Sequence, residues 1–204
     1  MKLHPSYYKM NANTDQHYIQ KTLDGDTRAF SVLVARYQSY VFTTVLRMVK
    51  VREVAEEVAQ DSFIKAFQSL KTYRGEAKFS TWLYSIAYRK ALDALRKNKR
   101  ERTSEFIDEI SEGNFEDIEN ALGYLEAKER TETIQQCIMA LPEEEAAIIT
   151  LYYFEEQSVR EIAQITAYSE DNIKIKLYRS RKKLFTLLKN FIMPEITDSN
   201  GKAI

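Results

Sequence analysis

The chain is poor in the residues from which metal sites, disulfide frameworks and β-sheets are usually built. Its 204 residues include one cysteine, Cys137, which excludes an intramolecular disulfide and a cysteine-rich zinc site. The two histidines, His4 and His17, lie in a polar N-terminal stretch with no third ligand nearby. Five glycines and three prolines supply few of the tight turns that hairpins need, which favours helices throughout. No glycine-rich loop is present to cradle a phosphate. No His, Cys or carboxylate set has the spacing of a metal site or an activated nucleophile. No catalytic residue, metal or cofactor is therefore expected. No apolar run approaches the roughly 20 residues that span a bilayer, and residues 2–16 are too polar for a signal peptide. The expectation is a reduced, cytoplasmic protein.

Charge of one sign is absent overall but not locally. The formal net charge is zero, yet residues 18–100 carry 16 Lys and Arg against 8 Asp and Glu, a net of +8. Residues 101–130 carry 3 basic and 10 acidic side chains, a net of −7, and residues 172–189 carry 7 basic and no acidic ones. Two basic surfaces joined by an acidic tether follow, a pattern suited to a polyanionic partner.

The apolar periodicity is helical. Asp24, Gly25 and Asp26 read as a turn and cap before a stripe of Phe30, Leu33, Val34, Tyr37, Val41, Val45, Leu46 and Val49. A second helix over about 53–70 is expected to bury Val54, Val58, Phe63, Ile64 and Phe67, with its acids early, where they complement the helix dipole. Residues 71–78, with Gly75, read as a loop. Ser80 or Thr81 then caps a third helix that ends in Arg96, Lys97, Lys99 and Arg100. Beyond an acidic stretch, helices are expected around Ile134 to Leu141 and after Pro142, which suits a first-turn position. The fold class is all-α, with two small helical domains joined by a flexible acidic linker. The divisions are 1–17 as a polar tail, 18–100 as the first domain, 101–126 as linker, 127–193 as the second domain and 194–204 as a tail.

The second domain ends in a helix-turn-helix pattern. Ser158 caps a short helix with Ile162, Ala163 and Ile165 inward, and the small Ala163 permits a close crossing. Ser169 caps the next helix, whose buried stripe is Ile173, Leu177, Leu184 and Leu188. Its outer face holds Asn172, Ile175, Lys176, Arg179 and Lys183, flanked by Lys174, Arg181 and Lys182. Such a face fits the major groove: cations for phosphates or guanine edges, Asn172 for adenine, Ile175 for a thymine methyl. A solvated basic helix would carry the same charge, but an apolar Ile175 in its midst would then serve no purpose. The turn has Ala167 where such pairs usually place glycine.

Several segments taken together are specific. DTRAF from Asp26, VAEEVAQDSFIKAF from Val54, YRGEAKFSTWLYSIA from Tyr73 and the pair Leu92 and Asp93 resemble region two of extracytoplasmic-function (ECF) sigma factors. Leu141 and Pro142, SVREIA from Ser158 and RSRKKL from Arg179 resemble region four of the same family. The resemblance covers most of the chain in the family's order. It implies a transcription initiation factor that binds core RNA polymerase, through its beta-prime clamp and beta flap, and opens promoter DNA. Glu56, Glu57, Gln60 and Asp61 would dock on the clamp. Tyr73, Arg74, Lys78, Tyr88, Arg89, Arg96, Lys97, Lys99 and Arg100 would meet the promoter minus-ten region, while Phe79, Trp82 and Leu83 are better read as core. Ser169, Asn172, Lys174, Ile175, Lys176, Arg179, Arg181, Lys182 and Lys183 would meet the minus-thirty-five region. An anti-sigma partner is implied by the resemblance alone. Arg89 stands where the family often has asparagine, so the family's minus-ten base preference is not carried over.

Two alternatives remain open on sequence. The acidic linker either enters the polymerase channels as a nucleic-acid mimic or only spaces two basic domains. The chain as a whole also fits a transcription factor that binds an operator without polymerase. Cys137, between Ile134 and Ile138 on an amphipathic helix, reads as a small core residue.

Overall fold

The computed structural model describes residues 12–98 and 127–192. All regular structure among them is helical: α1 (Ala12–Leu23), α2 (Ala29–Val49), α3 (Arg52–Gln68), a 3-10 turn (Leu70–Thr72), α4 (Phe79–Asn98), α5 (Ala127–Ala140), α6 (Glu143–Tyr153), α7 (Val159–Thr166) and α8 (Glu170–Ile192). The expected linker, residues 101–126, lies outside the described residues, as do the tail 194–204, Lys99, Arg100 and His4.

The first bundle packs α2 against α3 and α4, because Leu33, Tyr37, Val41, Val45 and Met48 recur on one face of α2 and are all buried. α1 begins at Ala12, inside the stretch read as a polar tail, and Ile19 is buried in the core. Three local expectations differ from the structure. α2 starts after Arg28 without a side-chain cap. α4 begins at Phe79, so Ser80 and Thr81 are buried within its first turn instead of capping it. Ile64 and Phe67, expected in the core, are 47% and 41% exposed.

The second bundle follows its sequence pattern closely. Pro142 is the N-cap of α6 and does not enter its first turn. Cys137 packs with Phe185 and Leu188, and burial pushes its thiol up to about 11, which disfavours the thiolate. Ser158 and Glu161 form a capping box, the Ser158 hydroxyl accepting from the Glu161 amide at 3.2 Å and the Glu161 carboxylate from the Ser158 amide at 2.8 Å. The Ser169 hydroxyl accepts from the Asn172 amide at 3.3 Å.

Ala167 ends α7 with φ +62°, the left-handed conformation that favours glycine. An L side chain there costs about 1 kcal/mol. Ala167→Gly is therefore expected to raise the melting temperature by about 2–4 °C, measured by thermal circular dichroism.

The two bundles are packed together, and their buried residues form one continuous cluster. α2 meets α6, and α4 meets α7. Within that cluster the seam also carries polar side chains, among them Arg47, Thr81, Tyr84 and Gln157.

Candidate nucleic-acid and partner-binding surfaces

On α3, Glu56, Glu57, Gln60 and Asp61 are all exposed, as expected of a docking face. Glu56 pairs with Arg52 at 3.0 Å and Asp61 with Lys90 at 2.9 Å. Gln60 and Asp61 each lie three or four residues from both Glu57 and Ile64, so the acids run into an exposed apolar residue on the same face. Acids alone would suit solvent, whereas an acidic strip ending in an uncovered isoleucine suits a protein partner.

The loop before α4 is organised by aromatic rings. Tyr73 lies 5.8 Å from Phe79 and 5.4 Å from Trp82 between centroids, and its hydroxyl donates to the Ala77 carbonyl at 2.7 Å. Phe79 and Leu83 are core and Trp82 is half-buried. Arg74 is exposed at the loop tip, where Gly75 adopts φ +74°. Arg89 is exposed and braced on its own helix, donating to the Ser85 carbonyl and hydroxyl at 2.8 Å each. Arg96, paired with Asp93 at 3.1 Å, and Lys97 continue this face.

Two of the candidate minus-ten residues lie in the seam. Lys78 pairs with Glu161 at 2.8 Å. Tyr88 is 2% exposed, and its hydroxyl has no hydrogen-bond partner among the described residues. Around them, the Thr81 hydroxyl donates to Gln157 at 3.2 Å and the Tyr84 hydroxyl to Glu155 at 2.7 Å. Arg47 is 5% exposed, donates to the Thr150 hydroxyl at 2.9 Å and lies 4.4 Å above the Phe154 ring. Desolvation raises the Glu155 carboxyl to about 7, opposed by the Tyr84 hydrogen bond and the charge of Arg47. Desolvation likewise lowers the pKa of Arg47, with the charge of Glu155 acting against it. Sequence reading missed Arg47, Glu155 and Gln157; the available signal was a lone charge within the apolar stripe of α2.

The outer face of α8 divides in two. Lys176 reaches Glu144 at 3.0 Å and Lys183 reaches Glu145 at 2.8 Å, both on the first turn of α6. Arg181 donates to the Tyr153 hydroxyl at 2.7 Å. These three turn toward the bundle. Ser169, Asn172, Lys174, Ile175 and Arg179 are exposed, with Lys174 paired to Asp171 and Lys182 half-buried 5.3 Å over the Tyr178 ring. Tyr178, 57% exposed, lies one turn beyond Ile175 and was not among the expected residues. The uncommitted surface of this second helix is thus polar, cationic and partly apolar, the mixture that base edges and thymine methyls require.

Among the described residues, no group of three or more His, Cys, Asp or Glu side chains is placed to hold a metal. Nor is any helix among them long and apolar enough to cross a membrane.

A bundle with an exposed acidic strip, joined to a helix-turn-helix bundle, has the form of a two-part DNA-associated protein. The Sigma-70 region 2 family model matches residues 33–101 and the Sigma-70 region 4 model matches residues 131–184. The RNA polymerase sigma-H factor of Pseudomonas aeruginosa is 33% identical over 178 residues, covering 83% of this chain and 91% of that protein. The ECF RNA polymerase sigma-E factor of Escherichia coli is 33% identical over 177 residues, covering 84% and 92%. Among solved structures, CnrH in complex with the cytosolic domain of CnrY matches with a TM-score of 0.62 at 21% identity, covering 88% of this chain and 98% of that one. The sigma factor RpoE in complex with the anti-sigma factor NepR, from Bartonella quintana, matches with a TM-score of 0.60 at 19% identity, covering 78% and 96%. The chain belongs to the ECF sigma factors: it is a transcription initiation factor that acts with RNA polymerase and directs it to promoters.

Proposed function

We propose that the chain divides promoter engagement between its two bundles. Residues 18–100 dock on core polymerase through Glu56, Glu57, Gln60 and Asp61. Tyr73, Arg74 and Lys78, with Arg89, Arg96 and Lys97, engage and open the minus-ten region. Residues 127–193 take the minus-thirty-five region through Asn172, Ile175, Arg179 and their neighbours. It is not an enzyme, works in the cytoplasm where its template lies, and binds an anti-sigma partner, as the Bartonella sigma factor is named in complex with one.

The observation that carries this reading is the outer face of α8, where Asn172, Ile175, Tyr178 and Arg179 stay exposed while Lys176 and Lys183 are held by α6. A second consequence concerns the seam. Lys78 and Tyr88 are occupied there, so strand engagement requires the two bundles to part. Strand opening needs aromatic surfaces for unstacked bases and cations along the backbone, and the loop ahead of α4 offers both.

Run-off transcription on genomic fragments tests this directly. Core polymerase with the protein is expected to yield discrete transcripts that core alone does not. Tight, sequence-specific gel shifts by the protein without polymerase would instead favour an operator-binding factor.

A further inference from the structure

Two acids of the α3 strip already have cationic partners within this chain. Glu56 pairs with Arg52, one turn away on the same helix, the ordinary pattern of a solvated helix surface. Asp61 is different. Its carboxylate accepts a hydrogen bond from the Lys90 amine at 2.9 Å, and Lys90 lies on α4, 29 positions further along the chain. The bond ties the strip to the helix that carries Arg89, Arg96 and Lys97. The sequence does not single out Lys90, because its partner is brought close only by the packing of α3 on α4.

The position of Lys90 on α4 gives it a second possible partner. Residues seven apart on a helix lie on one stripe, so Lys90 and Lys97 form one row of cations and Arg89 and Arg96 the row beside it. The Asp61 side chain is 54% exposed and that of Lys90 31%, so water and a docking partner both reach the pair. Such a pair is weak and readily exchanged. The flexible four-carbon stem of lysine lets the amine leave Asp61 and join the neighbouring cations without movement of the helix.

We infer that Lys90 is shared between two sites, standing in for a polymerase cation on Asp61 in the free chain and passing to a promoter phosphate when the strip docks. This inference rests on the proposed roles of α3 in docking and of α4 in contacting DNA. A cation of core polymerase that approaches Asp61 meets a carboxylate already partnered, and it binds by displacing Lys90. The pair therefore holds down affinity for core polymerase. Once displaced, the amine adds one phosphate contact to those of Arg89, Arg96 and Lys97, with no preference among bases.

The test is Lys90→Met in the full chain, which keeps an unbranched stem and removes the amine. It should bind core polymerase about two- to fivefold more tightly than wild type, because Asp61 no longer has an internal partner. In an Asp61→Asn background the same substitution should no longer tighten binding. Holoenzyme carrying Lys90→Met, on a promoter that the wild type transcribes, should show a salt exponent of promoter binding smaller by about 0.7–0.9. A residue that only braced α3 against α4 would not move the two affinities in opposite directions. Core affinity that does not rise, or a salt exponent that stays at its wild-type value, overturns the inference. The underlying readings fail with separate signatures. Reversal of Glu57 and Asp61 would leave core affinity unchanged if α3 does not dock. Neutralising Arg89 and Arg96 together would leave the salt exponent unchanged if α4 does not meet DNA.

Discussion

Reversing Glu57 and Asp61 together to lysine is expected to weaken binding to core polymerase by roughly 30- to 900-fold, since close charge pairs across an interface are each worth on the order of 1–2 kcal/mol. Both side chains are exposed on α3, and the Asp61 bond to Lys90 is a surface pair. Removing it costs the bundle less than about 1 kcal/mol. The variant should therefore keep its helical circular dichroism and its melting temperature within a few degrees. Reversal of Glu53, in the first turn of the same helix and outside the docking set, serves as the control and should change affinity by less than about threefold. Affinity that survives the double reversal would remove the docking role from this face and reduce its acids to partners of the helix dipole.

The second large effect concerns the seam, where Glu155 faces Arg47 from α2 and Tyr84 from α4. In the packed arrangement its carboxyl is raised to about 7, against 4.5 for an ordinary glutamate. A raised carboxyl pKa means that packing takes up a proton. Contact between the bundles is accordingly strongest below about pH 4.5, weakens as pH rises toward 7, and is constant above that. The difference across this window is on the order of 3 kcal/mol. Small-angle scattering should show a larger radius of gyration at pH 8 than at pH 5.5. Glu155→Gln, which cannot ionise, should remain compact at both. A wild-type radius that does not change over this range would show that Glu155 does not govern separation.

Much of this architecture was legible in the chain because its informative signals are local. The stripe of α2, the capping Ser158 and the inward Ile162, Ile173 and Leu177 each follow from helical period and hydrogen-bond chemistry within one element. The failures share a cause as well. Period alone does not say what covers an apolar residue, so it places Ile64 and Phe67 in the core although both are exposed. Thr81 has the chemistry of a cap but spends its hydroxyl on Gln157, a residue 76 positions away. Arg47, Glu155 and Asp15 look like solvated charges until the fold brings their partners close. Candidate surfaces on single helices could be read from sequence, whereas surfaces assembled from several elements could not.

The way α6 holds Lys176 and Lys183 bears on how strongly ionic strength should act on duplex binding. Neutralising a phosphate displaces a condensed counterion, and that release to bulk solution sets the salt exponent of binding, about 0.9 per contact on B-form DNA. Seven basic residues between 172 and 189 would suggest an exponent near 6. Lys174, Lys176 and Lys183 are already paired with carboxylates on this protein and displace fewer ions when DNA arrives. The second bundle should consequently discriminate among sequences across a wider range of salt than its charge implies, because less of its affinity is drawn from the ion atmosphere.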